Sequence, residues 1–387
     1  MSKFDENGVL RPPSHRHSGP VAGAEGHLTN HDFSAALIKA GFHGCPAFIK
    51  HKVMKTLIST LIACLIWAPA LNLHAALSME ERNALLALYT SAQGDNWTNR
   101  NGWDTQQPGT ECTWYGLTCQ GDHVFSLNLN DNHLTGPIPP EIGNLSKLWY
   151  LDLGDNRLSG PIPPQLGQLE ELWKLYLDNN ELTGPIPPAL GELAKMQELY
   201  LYNNQLSCGI PVNLGALPSL KWLWVSGNQL SGPIPGSLGA LPSLERLYLY
   251  DNHLTGLIPR QLANLDTLKR LRLHKNRLIG PFPLELKNLP NLDEGGSDFR
   301  WNHLYTSDEA LRQFLDTKQT GGDWQSTQSP GYVLDLNADD RVDVGDVVAL
   351  LQVFTRMRPF EDLPGVAAGA LRMDDALYML RLIGDVD

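Results

Sequence analysis

A chain of 387 residues, 42% of them apolar, can bury a real core and has room for two or three compact domains or one repeat array with appendages. A formal net charge of −12 excludes nucleic-acid binding as the main role, because phosphates demand basic patches. The 35 glycines and 27 prolines are too many for a compact globule unless turns recur at fixed intervals.

Residues 1–53 hold a Pro/Gly/His-rich run from Arg11 to Gly26 and no sustained periodicity. They read as a segment upstream of the true start, with a disordered extension as the alternative. Met54-Lys55 then opens an apolar run from Thr56 to Ala70 that closes on the small residues of Leu73-His74-Ala75-Ala76. A basic start, a short apolar stretch and a small-residue end predict a secretory signal peptide over 54–75, with translation starting at Met54. The run is too short, and too interrupted at Pro69, to predict a transmembrane span. Leu61-Ile62-Ala63-Cys64 also fits the box before a lipidated cysteine, but the residues after Cys64 stay apolar, so lipidation ranks second. Beyond the signal only Cys112, Cys119 and Cys208 remain. Export favours a disulfide between Cys112 and Cys119 and leaves Cys208 unpaired.

Residues 76–123 read as an N-terminal cap. Ser78-Met79-Glu80-Glu81 is a capping box opening a helix through Ala84, Leu85, Leu88 and Tyr89. From residue 124 the chain becomes periodic: Leu127, Leu151, Leu175, Leu199, Leu223, Leu247 and Leu271 stand 24 residues apart without a slip. One unit reads Leu151-Asp152-Leu153-Gly154-Asp155-Asn156-Arg157-Leu158-Ser159-Gly160-Pro161-Ile162-Pro163. The two leucines point inward from a short strand, since alternate residues face opposite sides. The asparagines from Asn132 to Asn276 turn inward to satisfy loop backbone groups. Trp301-Asn302-His303-Leu304-Tyr305 keeps a degenerate unit after a two-residue slip, and Thr306–Glu309 opens a closing helix with Leu311, Phe314 and Leu315 on one face.

The period and the Gly-Pro-Ile-Pro segment resemble the plant-type leucine-rich repeat over about residues 78–325. The N-terminal segment is similar to the caps of plant receptors and inhibitors, while the closing helix resembles that of bacterial secreted repeat proteins. The resemblance implies an α/β fold, a right-handed solenoid with parallel strands on its concave face, occupying residues 124–325. In such a solenoid the residue between the two leucines faces the concave surface: Asn128, Asp152, Tyr176, Tyr200, Trp224, Tyr248 and Arg272. Tyr202, Trp222 and Tyr250 lie two positions away on the same face. The surface is expected to be an exposed aromatic stripe with Asp152, Asp155 and Asp178 at one end and Arg246, Arg270, Arg272, His274 and Lys275 at the other. An exposed apolar patch marks a binding site, so Tyr176, Tyr200, Tyr202, Trp222, Trp224, Tyr248, Tyr250 and Arg272 are the candidate ligand-binding residues. Packing between cross-strand aromatics is the competing reading.

Residues 326–387 read as a linker and a second module, with Gln319–Pro330 rich in Gly, Ser, Thr and Gln. Asp335, Asn337, Asp339, Asp343 and Asp346 place side-chain oxygens at the first, third, fifth, ninth and twelfth places of a calcium loop, and the Arg341 carbonyl supplies the seventh. A helical pattern through Val347, Leu350, Leu351 and Phe354 follows, and the arrangement resembles a small helical EF-hand or dockerin module. Leu371–Leu380 resembles its second helix without the acidic loop. Asp340 stands where glycine is usual, and Val344-Gly345 replaces the small hydroxyl residues that dockerins present to cohesins. No nucleophile elbow, phosphate loop, zinc spacing or paired-carboxylate motif suggests an enzyme. The expected function is an exported or cell-surface binding protein with structural calcium, recognising a protein or peptide on the concave face. The alternative is a polysaccharide-binding component held in an assembly by a cohesin-like partner.

Overall fold

The computed structural model describes residues 77–103, 108–328 and Val348. Its organising element is an eight-stranded sheet in which, after one antiparallel pair (Leu117–Gln120 with His123–Asn128), every strand is parallel to its neighbour. Six of the strands are three residues long, from Tyr150–Asp152 to Arg270–Arg272, one per 24-residue unit. The register places Leu127 beside Leu151 and continues through Leu175, Leu199, Leu223 and Leu247 to Leu271. These leucines and their partners two residues on are fully buried, each worth about 1.5–3 kcal/mol of burial. No single unit could bury them alone, because each covers the next.

The expected slip appears as a bridge between Arg272 and Asp298, 26 residues apart. The segment after each Asn forms a second row of short parallel strands, in two groups of four. The break lies between Gln205–Leu206 and Ser231–Pro233, where Leu206-Ser207-Cys208-Gly209 replaces the Leu-Ser-Gly-Pro of Leu158–Pro161 and Leu230–Pro233. Cys208 has φ +66°, at a place where Gly160, Gly184 and Gly232 have +76°, +77° and +78°. Its thiol is exposed and free.

Every unit is tied to the previous one by an asparagine. Asn180 accepts from the Leu158 N–H at 2.8 Å and donates to the carbonyls of Leu153 (3.0 Å), Leu177 (3.2 Å) and Asp178 (3.1 Å). Asn156, Asn204, Asn228, Asn252, Asn276 and Asn302 repeat the pattern. The turns stay buried because these amides take over the backbone groups that water would otherwise satisfy.

Both ends are closed. Ser78 caps the helix Met79–Ser91 by accepting from the Glu81 N–H at 3.2 Å. Glu81 itself is buried, accepting from the Val124 N–H (3.2 Å) and contacting His123 Nδ1 (3.1 Å), so it ties the cap to the first long strand. The Cys112–Cys119 disulfide is formed, with Cα atoms 5.5 Å apart. At the far end Asp308 caps the helix Glu309–Lys318 by accepting from the Leu311 N–H at 2.6 Å, and Leu311 and Leu315 are buried.

At this end the packed structure runs past the expected boundary at 325, as far as Gln328. Gln319–Gln328, whose polar residues read as a linker, is packed against the last unit. Trp324 is buried against Phe282, with ring centroids 5.0 Å apart. Gln328 accepts from the Leu304 N–H at 3.0 Å and donates to the Phe299 and Trp324 carbonyls. That is the asparagine's role, filled by a side chain one methylene longer. Gln328→Ala should therefore cost about 1–3 kcal/mol, the usual effect of stranding buried backbone groups. Urea unfolding checks it, and a loss below 0.5 kcal/mol, about the level of a neutral surface change, would return the segment to linker status.

Candidate ligand-binding face

The alternation of the short strands sends three columns of side chains outward from the eight-stranded sheet. The middle column runs Asn128, Asp152, Tyr176, Tyr200, Trp224, Tyr248 and Arg272 in unbroken register, as the repeat predicts. Strands in a sheet stand about 4.8 Å apart, so bulky neighbours in one column are forced into ring contact. Tyr176 and Tyr200 stack at 4.5 Å and 15°, and Tyr202 and Trp224 at 4.1 Å and 25°. Trp224 meets Tyr248 edge-on at 5.2 Å.

This packing corrects the expected exposure. Tyr176, Tyr200, Tyr202, Trp222 and Trp224 are half-buried, but Tyr248, Tyr250 and Arg272 are only 2%, 8% and 9% exposed. Tyr248 lies between Trp224 and the Arg272 guanidinium, which sits 5.2 Å from its ring centroid. Tyr250 stacks on His274 at 4.4 Å and 8°. A side chain with large neighbours on both sides keeps little surface of its own, so these three support adjoining units and do not project freely from the sheet.

The acidic end is more deeply set than its composition suggests. Asp152 accepts from the Tyr150 hydroxyl (2.7 Å) and the Gly154 N–H (3.1 Å), while Asp178 accepts from the Asn179 amide (3.0 Å). Burial pushes the Asp178 carboxyl up to about 7, and the nearby Asp152 and Asp155 carboxylates push the same way. Burial raises Asp152 as well, against its hydrogen bonds. Among the described residues, no three His, Cys, Asp or Glu side chains converge to hold a metal ion. In the next unit Glu198 is buried, bonded by the Tyr176 hydroxyl and paired with Lys174 at 2.7 Å. Burial and the Glu198 charge hold the Tyr176 hydroxyl above its usual range.

At the basic end the Arg246 guanidinium rests on the Trp222 ring, 4.5 Å from its centroid. Arg270 reaches Asp293 at 3.4 Å. His274 is buried and held neutral, its pKa lowered by burial to about 4 against the pull of Asp298 at 3.5 Å. The Asp298 carboxyl stays below its usual range despite burial, because Arg300 binds it at 2.6 Å.

Sequence reasoning missed Tyr150, which meets Tyr176 edge-on at 5.6 Å on this face, and four aromatic residues beside it. Phe125, Trp149 and Trp173 form a stacked row at 5.5 Å and 4.5 Å, two positions before the inward leucine. Their own 24-residue spacing was the available signal. Trp301 is the fourth, hidden by the slip. The candidate calcium ligands Asp335, Asn337, Asp339, Arg341, Asp343 and Asp346 lie outside the described residues.

A family model described as "Leucine rich repeat" matches residues 170–230, and a second "Leucine Rich Repeat" model matches 123–145, 147–169 and 243–265. The chain carries leucine-rich repeats. Its leucine-rich-repeat array is similar to solved plant receptor structures. The Arabidopsis receptor kinase HAESA ectodomain, in complex with an N-terminally extended IDA peptide hormone, is 30% identical over 62% of this chain and 41% of that one, with a TM-score of 0.52. HAESA with IDA and the co-receptor SERK1 is 28% identical over 60% and 40%, with a TM-score of 0.50. A TDR receptor is 34% identical over 44% and 30%, with a TM-score of 0.43. The leucine-rich-repeat chain thus spans less than half the length of each of these receptor chains. Among its described residues, no helix is long and apolar enough to cross a membrane.

Proposed function

We propose that this is an exported binding protein that recognises an extended peptide on the concave face of its repeats. The observation that carries the reading is how the aromatic rings are used. Tyr176 with Tyr200, and Tyr202 with Trp224, spend faces on each other, so they offer mainly ring edges outward. A sugar ring needs a free aromatic face to stack on. A peptide can instead seat its side chains against ring edges, with acidic and basic groups nearby to set its register. This weighs against the polysaccharide alternative. The HAESA complexes hold a peptide hormone, which supports the same class of ligand.

Trp224 is the best single probe, being central and half-buried. Truncating a central aromatic anchor costs about 2 kcal/mol or more of binding energy. Trp224→Ala should therefore weaken a peptide selected on the full chain by thirtyfold or so, and added salt should weaken a charged peptide further. Isothermal titration over a salt series checks both. An unchanged affinity for Trp224→Ala moves the site elsewhere, and selective binding of neutral polysaccharide with no salt dependence restores the alternative.

Calcium belongs to the same proposal. The donor set of Asp335, Asn337, Asp339, Asp343, Asp346 and the Arg341 carbonyl is all oxygen, as a hard cation requires. A ligand that binds only the folded form stabilises it by mass action. Calorimetry of the full chain should show one transition that moves up with calcium and down with chelator, while the transition of the repeats stays fixed. Asp335→Ala together with Asp346→Ala should abolish the shift. A calcium-independent profile removes the module's metal and with it the case for a cohesin-like partner.

A further inference from the structure

The aromatic contacts follow the middle column from Tyr176 to Tyr248 and leave it on opposite sides at the two ends. The row Phe125, Trp149 and Trp173 lies on the side where the strands begin, and Lys174 sits 4.7 Å over the last ring. Trp301 lies on the side where the strands end, 44% exposed, with the Arg300 guanidinium 4.5 Å from its centroid. Rings in mutual contact join these two corners without a gap. The line shifts sideways at its two ends, from Trp149 through Tyr150 (6.5 Å) to Tyr176 (5.6 Å) and from Tyr248 to Tyr250 (6.4 Å). Its last steps are Tyr250 to His274 and His274 to Trp301, at 4.4 and 6.2 Å.

Two further observations give the oblique line meaning. The first is charge. Asp152, Asp155 and Asp178 all fall on its strand-end side in the early units, whereas Arg246 and Arg270 fall on its strand-start side in the later ones. The line is thus the border between an acidic corner and a basic corner. The second is Trp301 itself. Its φ is +54°, in the place where earlier units carry Asp131, Asp155, Asn179, Asn203, Gly227, Asp251 and Lys275. A bulky residue in left-handed backbone is costly, and one left exposed to water gains little packing in return.

We infer that the ligand track runs obliquely across the concave sheet from Trp149 to Trp301 and takes an extended peptide of about twelve residues, basic along one edge of its first half and acidic along the opposite edge of its second half. The inference rests on the peptide-binding reading above and adds path, length and charge pattern. Six steps between strand rows at about 4.8 Å, combined with a sideways shift of about six residues, give a path of roughly 35 Å, which an extended chain at about 3.3 Å per residue covers in eleven or twelve residues. Side chains of an extended peptide alternate between its two edges, so one edge meets the Asp corner and the other the Arg corner.

The test uses linear random peptides of 6, 9, 12 and 15 residues displayed on phage and selected on the full chain. The 12- and 15-residue pools should enrich and the 6-residue pool should not. A synthesised 12-residue winner should lose at least tenfold in affinity with Trp149→Ser and with Trp301→Ser, two changes at opposite corners. It should be unaffected by Val212→Ser, an exposed apolar residue on the 3-10 turn Val212–Ala216. Arg246→Glu should weaken the same peptide and be rescued by exchanging an acidic peptide residue for lysine. Thermal melts identify any variant that has lost its fold, and Trp301→Ser stands alone if Trp149→Ser has. Peptides that depend on Trp224 but not on Trp149 or Trp301 would overturn the oblique track and leave the proposed function standing. Enrichment of no peptide at any length overturns both.

Discussion

Asn180→Leu should lower the unfolding free energy by about 1–3 kcal/mol, because the change strands the buried Leu158 N–H. Asn180, like its counterparts along the array, serves two units at once. Its loss leaves the Leu158 N–H without its acceptor and takes one donor from the Leu153 and Leu177 carbonyls, which keep the amides of Asn156 and Asn204. Leucine fits the volume but offers neither. A repeat array is stabilised by the interface between neighbours, so the damage concentrates at one joint. Denaturant unfolding should become broader or split into two steps, with the units before residue 158 separating from those after residue 180. A single sharp transition at the parent midpoint would show that water can enter the turn and do the work of the amide.

A second large effect concerns acidity. Asp178 has a folded-state pKa of about 7 against 3.8 for the free side chain, so the folded form holds its proton more tightly. Its contribution is fully present below pH 3.8 and is lost as pH rises through 7. His274 behaves oppositely. Its folded-state pKa is about 4 against 6.5, so its contribution is full above pH 6.5 and is lost as pH falls toward 4. At about 1.36 kcal/mol per pKa unit these are on the order of 4 and 3 kcal/mol. The windows overlap between pH 4 and 6.5, and the two slopes offset each other there. Asp178→Asn should unmask a stability that climbs with pH across that range, whereas His274→Gln should unmask one that falls. Burial also raises Asp152, which adds to the falling slope. Urea titrations at pH 4.5, 5.5 and 7.5 check the pair; an Asp178→Asn profile that superposes on the parent's refutes the buried-carboxyl account.

The backbone of this protein was legible because its 24-residue period repeats one physical solution. A leucine position, an asparagine and a Gly-Pro turn each have one job, and seven copies in register leave no other reading. The site was less legible, for reasons particular to it. Alternation placed Tyr248 and Arg272 on the concave face correctly, yet it carries no information about their neighbours' bulk. Trp224 on one side and Arg272 on the other bury Tyr248, and that depends on three residues 24 apart. Trp301 reads from sequence only as part of a degenerate unit, because the two-residue slip moves it out of the column a strict period would assign. Gln328 escaped notice for a different reason: a polar segment outside the period reads as linker until its amide is seen completing a turn.

The asparagine bonds also give the array a direction. Each unit leans on the one after it for a single acceptor, as Leu158 does on Asn180, so every unit except the last inherits its closure from a successor. The final debt, at Leu304, is settled by Gln328 from outside the series. Length is therefore written at the terminus and is indifferent to what happens upstream. A whole 24-residue unit could be duplicated or deleted between Asn156 and Asn276 with every remaining joint intact, lengthening or shortening the concave face by one strand. Nothing could be appended after Leu304 without first displacing Gln328. This chain can grow only from within.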